Sequence, residues 1–314
     1  MSIDCSGMNA ASSSDNEAHD TMRSSMGTWV ETALNGPWRR DLQPRVPLGV
    51  EELVREGIAC AQAGASIIHV HAFNQDGADD VVGDVYARIM EGIRGEADCL
   101  VYPSIPMFAA PGVERFGHLR FLVDRGLLEL TVVDPGSVNV FFDGESSLPY
   151  PSAVYSNAPD EIREGLRYCA ENQVHPGFAI YEPGFTRAGA TLVRARPDVP
   201  QPIYRFMFSD RLAFGFRPGA AGIGAHLETL QSEAAGSPWM VAGLDLDVMP
   251  LISEAVRLGG GVRTGLEDAP FGGERTNLEL TTALVNAVEA AGSTPATAPE
   301  VRAELAGTRV TVQR

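Results

Sequence analysis

The stretch VEELVREGIACAQAGASIIHVHA, residues 50–72, changes its periodicity halfway along. Val50, Leu53, Val54, Ile58 and Ala61 fall on one face of a 3.6-residue helix, which predicts a helix over Val50–Ala63. Gly64 interrupts that pattern, and Ser66–Ala72 is a short, nearly continuous apolar run of the kind a buried parallel strand requires. Similar short runs recur at Trp29–Leu34, Cys99–Ser104, Leu128–Val133, Gly177–Tyr181, Tyr204–Phe208, Trp239–Ala242 and Gly261–Thr264. Helical patterns separate them at Asp84–Arg94, Val113–Arg125, Asp160–Asn172, Gly224–Ala235, Val248–Leu258 and Leu278–Ala291. The fifth connection, Ala188–Gln201, is rich in Arg and Pro and is the weakest of these patterns. Eight strands alternating with helical connections, with no break in composition, predict a single α/β domain, a closed (β/α)8 (TIM) barrel over residues 27–314 with a C-terminal helical extension. Residues 1–26 have no periodicity and read as a tail without a secretory signal pattern.

Composition narrows the chemistry. The 314 residues carry 24 basic and 41 acidic side chains, a formal net charge of -17, and every basic residue is arginine. Without lysine there is no Schiff-base nucleophile, no pyridoxal phosphate anchor, no Walker-A loop and no carbamate-bridged metal pair. The acidic balance argues against nucleic acid or an anionic membrane as the main partner, and no apolar run is long enough to span a bilayer. Cys5, Cys60, Cys99 and Cys169 are widely spaced without a CxxC, which favours reduced thiols in the cytoplasm over a disulfide scaffold.

In a (β/α)8 barrel the reactive groups belong at the C-terminal ends of the strands. His69 and His71 lie two apart at the end of the second run, so a strand would point both imidazoles the same way, toward one metal ion. A hydrogen-bonded pair of core histidines is the competing reading. The eighth run ends in Arg263-Thr264-Gly265-Leu266-Glu267-Asp268, which can supply a third ligand, a spare carboxylate base and a guanidinium clamp. Taken alone, that segment reads more readily as a solvated loop in which Arg263 merely pairs with one of the two acids.

Together, these segments resemble the β-keto acid cleavage enzymes, of which the 3-keto-5-aminohexanoate cleavage enzyme is the prototype. The resemblance rests on Glu31–Pro37 (ETALNGP), Ala63-Gly64-Ala65 through His69-Val70-His71, Gly136–Asn139 (GSVN) and Gly259–Asp268 (GGVRTGLED in its last nine residues), and continues from Thr276-Asn277-Leu278 to Ala296–Arg302. It implies a (β/α)8 barrel that binds zinc or another divalent metal, assembles as a homo-oligomer, usually a tetramer, and uses acetyl-CoA as co-substrate. The implied reaction condenses a β-keto acid with acetyl-CoA and splits the adduct into acetoacetate and a new acyl-CoA. Carried over by residue, His69, His71 and Glu267 are the implied metal ligands, Asp268 the base and Arg263 the residue that positions Asp268 and the substrate carboxylate.

The resemblance also implies a strand-end hydroxyl at Ser104. Its usual fourth-strand hydroxyl falls on Val132, while the available one, Thr131, is a residue away and would face the other side unless the register shifts. Glu182, Trp38, Thr131 and Asn139 are the candidate substrate contacts, with Trp38 suited to an apolar or extended tail or to packing against a neighbouring subunit. Arg217–Gly224 precedes a helix and could offer amides to a coenzyme A phosphate, although it lacks a GxGxxG fingerprint and a plain loop is the simpler reading. His19, His118, His175 and His226 read as structural or exposed. A class II-like aldolase or lyase that does not use coenzyme A is compatible with the same metal ligands.

Overall fold

Eight parallel strands form the centre of the molecule in a computed structural model, which describes residues 27–73, 80–106, 115–142 and 153–307. They are β1 (Val30–Ala33), β2 (Ile67–Val70), β3 (Leu100–Pro103), β4 (Leu130–Val132), β7 (His175–Ile180), β8 (Ile203–Phe208), β10 (Trp239–Gly243) and β11 (Gly261–Thr264). Their hydrogen-bonded order is β3-β2-β1-β11-β10-β8-β7-β4, so chain neighbours are spatial neighbours. With β4 brought beside β3, the sheet is nearly closed into a barrel. All eight expected strands are present. The expected tail, with Cys5 and His19, lies outside the described residues.

Helices cover the outside: α1 (Val50–Gln62), α2 (Asp84–Arg94), α3 (Gly117–Asp124), α4 (Pro159–Asn172), α5 (Pro183–Ala195), α6 (Ala220–Ala234), α7 (Ile252–Arg257), α8 (Asn277–Ala290) and α9 (Ala298–Gly307). The fifth connection begins five residues before the expected helix because Pro183, with its ring-locked φ, occupies the first turn. It ends at Arg196, where Pro197 disfavours continuation. A second, three-stranded antiparallel sheet of β5 (Val138–Phe142), β6 (Ala153–Tyr155) and β9 (Leu212–Ala213) is absent from the sequence reading. Its strands are short, and two of its members are some 70 residues apart in the chain.

Period-2 alternation sorts the barrel interior into layers. The lowest is apolar, with Trp29, Ile67, Leu100, Leu130, Ile203 and Met240 packed together and closed from below by Ala298, Val301 and Leu305 of α9. Two residues further along β1, β2, β3, β4 and β8 the character changes to Glu31, His69, Tyr102, Val132 and Arg205, joined by Arg263 two residues after Gly261 on β11. One more step brings His71, Ser104 and Asp134 to the C-terminal mouth. The barrel is therefore sealed and greasy at one end and charged toward the other.

Candidate active site

His69 and His71 end β2 on its inner face, and both are buried. Asn35 fixes this strand end by pairing with the backbone of His71, donating to its carbonyl and accepting from its amide, each at 2.9 Å. Glu267 arrives from a turn after β11. His69 Nε2 and His71 Nε2 lie 3.4 and 3.7 Å from Glu267 Oε2. One ligand atom from each of the three residues falls within 4.8 Å of the others.

The turn that carries Glu267 is held on every side. Gly265 has φ +134°, and a Cβ there would collide with the carbonyl oxygen of Ala33, so the close passage of β1 requires glycine. Asn277 accepts from the Leu266 amide at 2.8 Å and donates to Leu34 O at 2.9 Å. Gln43 donates to Leu266 O and Ala269 O. The Trp38 indole N–H donates to Glu267 O at 2.8 Å, and its ring meets Phe271 edge-on. Trp38 thus buttresses the Glu267 turn, a local role the sequence reading did not foresee.

Arg263 is the electrostatic centre. Its Nε and Nη2 donate to the two oxygens of Asp268 at 2.9 and 2.8 Å, a fork-on-fork pair. Nη2 also lies 2.8 Å from Glu267 Oε1, and Nη1 donates to Glu31 at 3.2 Å. Burial works against the guanidinium charge, but the flanking carboxylates, Asp268 first, hold its pKa well above the ordinary arginine range. Burial would raise Glu267, yet Arg263 and the two imidazoles hold it well below the usual carboxylate range. Asp268 shows the opposite balance: burial pushes it up to about 6 against the pull of Arg263. Burial also depresses His69 well below the usual imidazole range, so its ring is neutral and has a lone pair to give.

The donor set fits a divalent metal. Glu267 Oε2 is buried without a hydrogen-bond donor, although two imidazole nitrogens face it. Two imidazole nitrogens and one carboxylate converging on a point are the ligand types and number of a catalytic zinc-like site.

Other expected contacts are distributed unevenly. Ser104 is at the mouth on the inner face of β3, its hydroxyl donating to Ile105 O at 3.2 Å. Val132 packs with the barrel interior, whereas Thr131 points to the opposite face, fully buried and without a hydrogen-bond partner among the described residues. The register does not shift, and Thr131 is removed from the site by strand alternation. Glu182 precedes α5 and accepts from the Gly215 amide at 3.0 Å, a link between two loops. Asn139 is exposed on β5 of the small sheet, opposite Val154. His118 donates from Nε2 to Ser104 O at 2.9 Å and stacks on Tyr86, while His226 stacks on Phe206.

Residues that the sequence reading left without a role complete the interior. Glu31 and Arg205 pair at 3.1 Å beside Arg263, and Tyr102 joins them, its ring stacked 4.4 Å from that of His69.

A barrel with imidazoles, carboxylates and a buried guanidinium gathered at the C-terminal mouth is the architecture of a (β/α)8-barrel enzyme. The chain belongs to the beta-keto acid cleavage enzyme family, whose model matches residues 28–306. It is 28% identical over 271 residues to the 3-oxoadipate:acetyl-CoA acetyltransferase of Cupriavidus necator, covering 83% of this chain and 87% of that protein. It is 26% identical over 269 residues to the 3-keto-5-aminohexanoate cleavage enzyme of Fusobacterium nucleatum, covering 84% and 91%. Among solved structures, apo ObcA superposes with a TM-score of 0.69 at 18% identity, covering 84% of this chain and 66% of that one, which supports the fold.

Proposed function

We propose that this chain is a metal-dependent acyltransferase that exchanges the acyl part of a β-keto acid with acetyl-CoA, releasing acetoacetate and a new acyl-CoA. The observation that carries the reading is the convergence of His69, His71 and Glu267 within 4.8 Å of one another beside an Asp268 clamped by Arg263. Membership of the family and its acetyl-CoA-dependent relatives support the same reaction. His69, His71 and Glu267 would hold the ion. When bound, the ion supplies Lewis acidity to the carbonyl of the β-keto acid.

The chain's own groups account for the rest. Arg263 keeps Asp268 ionised and aimed, and offers a positive field to the substrate carboxylate. Asp268 takes a proton from the carbon between the keto and carboxylate groups. The resulting carbanion attacks the thioester carbonyl of acetyl-CoA, forming a carbon–carbon bond and expelling the coenzyme A thiolate. That thiolate then adds to the original keto carbon, and the bond to the middle carbon breaks. Acyl-CoA departs, and protonated Asp268 returns its proton to the acetoacetate carbanion. Ser104 at the mouth would donate to a thioester oxygen by turning its hydroxyl away from Ile105 O, while Val132 leaves the fourth strand with no hydroxyl for that task. Glu182 and Trp38 act through the loop and the turn that they hold rather than as direct substrate contacts. The family resemblance supports zinc, a homotetramer and a cytoplasmic setting.

The test is a panel of aliphatic, aromatic, dicarboxylic and amino-bearing β-keto acids incubated with acetyl-CoA and followed by mass spectrometry of acyl-CoA products. About one divalent ion per chain and loss of both ion and activity in His69→Ala are expected. Full activity of His69→Ala, or cleavage that proceeds without coenzyme A as a class II-like aldolase would do, would overturn it. Light scattering checks the tetramer.

A further inference from the structure

Glu31 has the most heavily used carboxylate in the barrel interior, and the reaction outlined above assigns it nothing. It is fully buried. Its Oε1 accepts from the Tyr102 hydroxyl at 2.5 Å and from Arg263 Nη1 at 3.2 Å, and its Oε2 accepts from Arg205 Nε at 3.1 Å. Its position follows from the strand register, in which Glu31 sits directly beside Arg263.

Three features point away from mere packing. First, Arg263 has a planar fork whose Nε and Nη2 are committed to Asp268, and Glu31 holds the remaining nitrogen, Nη1. Fixing that third corner fixes the plane, and a fixed plane fixes the carboxylate of Asp268. Second, Arg205 pairs with Glu31 and has its guanidinium carbon 4.8 Å from the centre of the Tyr102 ring, and its Nη2 has no hydrogen-bond partner among the described residues. A buried cation left with a free donor is a costly element to keep for stability alone. Gly177 makes room for it, since a Cβ there would strike Arg205 Nη1. Third, the Tyr102 hydroxyl lies 3.4 Å from Arg263 Nη1, while its ring stacks on His69. One tyrosine therefore bridges the guanidinium that holds the base and a ring of the ligand set.

We propose that Glu31, supported by Tyr102 and Arg205, is a positioning residue for proton abstraction, setting the plane of the Arg263 guanidinium and through it the aim of Asp268. This inference rests on the reading of Asp268 as the base. It predicts that the proton-transfer step suffers when Glu31 is changed, while binding of the coenzyme does not. A displacement of about an ångström at a reacting group costs on the order of 100-fold in rate, so an effect of roughly 10- to 100-fold is expected.

The step can be isolated by following hydrogen–deuterium exchange at C2 of acetoacetate in D2O without acetyl-CoA, by proton NMR, against the buffer rate. Glu31→Gln, close in shape but uncharged, is expected to slow enzyme-dependent exchange and kcat by roughly 10- to 100-fold, with KM for acetyl-CoA within about two-fold and metal content unchanged. Tyr102→Phe keeps both ring contacts and removes the hydroxyl, and is expected to slow exchange by a smaller factor, about three- to ten-fold. Exchange at the wild-type rate in folded Glu31→Gln would overturn the proposal, as would a loss that parallels loss of metal. If Glu31→Gln does not fold, a wild-type exchange rate in Tyr102→Phe overturns it. Asp268→Asn separates the two levels: if it exchanges normally, the base assignment itself has failed and the positioning role falls with it, whereas a dead Asp268→Asn beside an unaffected Glu31→Gln refutes the positioning role alone.

Discussion

Replacing Arg263 with methionine removes the only guanidinium that touches all three of Glu31, Glu267 and Asp268 among the described residues. These contacts are buried, with side-chain exposures of 6% for Arg263 and 0%, 14% and 2% for the three acids, so water cannot take over. Breaking a buried ion pair by deleting one partner typically costs about 3–5 kcal/mol, because the remaining charge is left uncompensated. Here three carboxylates lose a partner, while Glu31 retains Arg205. A loss of about 3–5 kcal/mol is therefore expected for metal-free protein, at the upper end unless Asp268 escapes by taking up a proton. Arg263→Lys keeps the charge but not the fork, and should recover part of the stability while leaving Asp268 unaimed. The assay is urea unfolding followed by far-UV circular dichroism in the presence of EDTA, with kcat measured separately on metal-loaded enzyme. An Arg263→Met protein within 1 kcal/mol of wild type, or an Arg263→Lys enzyme with full kcat, would show that the guanidinium is not the organiser of the site.

Three further outcomes follow from particular residues. His118 and His226 are buried and held down to about 4, both by desolvation. Because the folded pKa lies below the unfolded value, their neutral forms stabilise the protein above about pH 6.5, and that stability is lost as pH falls toward 4. Each should cost about 2 kcal/mol between pH 7 and pH 5, and His226→Phe, which suits its contacts with Phe206, Phe208 and Phe216, should flatten the urea-midpoint profile over that range; an unchanged slope would refute this. Gly265→Ala forces a side chain against Ala33 O at φ +134° and should lower both thermal stability and metal occupancy, measured by calorimetry and elemental analysis. Trp38→Phe deletes the donor to Glu267 O and should cost about 1 kcal/mol with a several-fold loss of kcat, whereas altered substrate preference at full kcat would mean that Trp38 lines the substrate instead.

Much of this was legible in the sequence because it is local. HVH on a strand places two imidazoles on one side by period alone, and GLED after the last strand brings two carboxylates to the same rim. On the fourth strand the sequence left the register open and kept Thr131 as a candidate contact, whereas the structure turns Val132 inward and Thr131 to the other face. What was not legible depends on register and on long-range backbone contacts. Glu31, Tyr102 and Arg205 are separated by 71 and 103 residues in the chain and meet only because their strands stagger into one layer of the barrel. Glu182 and Trp38 are of residue types that suit substrate contacts, but their polar atoms are used on the Gly215 amide and the Glu267 carbonyl. No spacing rule reveals such a partner. The small sheet escaped for a similar reason, since β5 pairs with β9 only after β6, α4, β7, α5 and β8 have been laid down.

The absence of lysine also takes on a narrower meaning. With no amine available as an electron sink, the proposed reaction gives that task to an ion that His69, His71 and Glu267 would hold, and gives the anion-binding task to arginine. The most direct measurement uses acetyl-CoA carrying carbon-13 in both acetyl carbons, incubated with the metal-loaded enzyme and a β-keto acid that the panel shows to be turned over. The proposed exchange places the label in the keto and methyl carbons of acetoacetate, with none in the acyl group of the new acyl-CoA. Unlabelled acetoacetate, or label appearing in the new acyl-CoA, would contradict it.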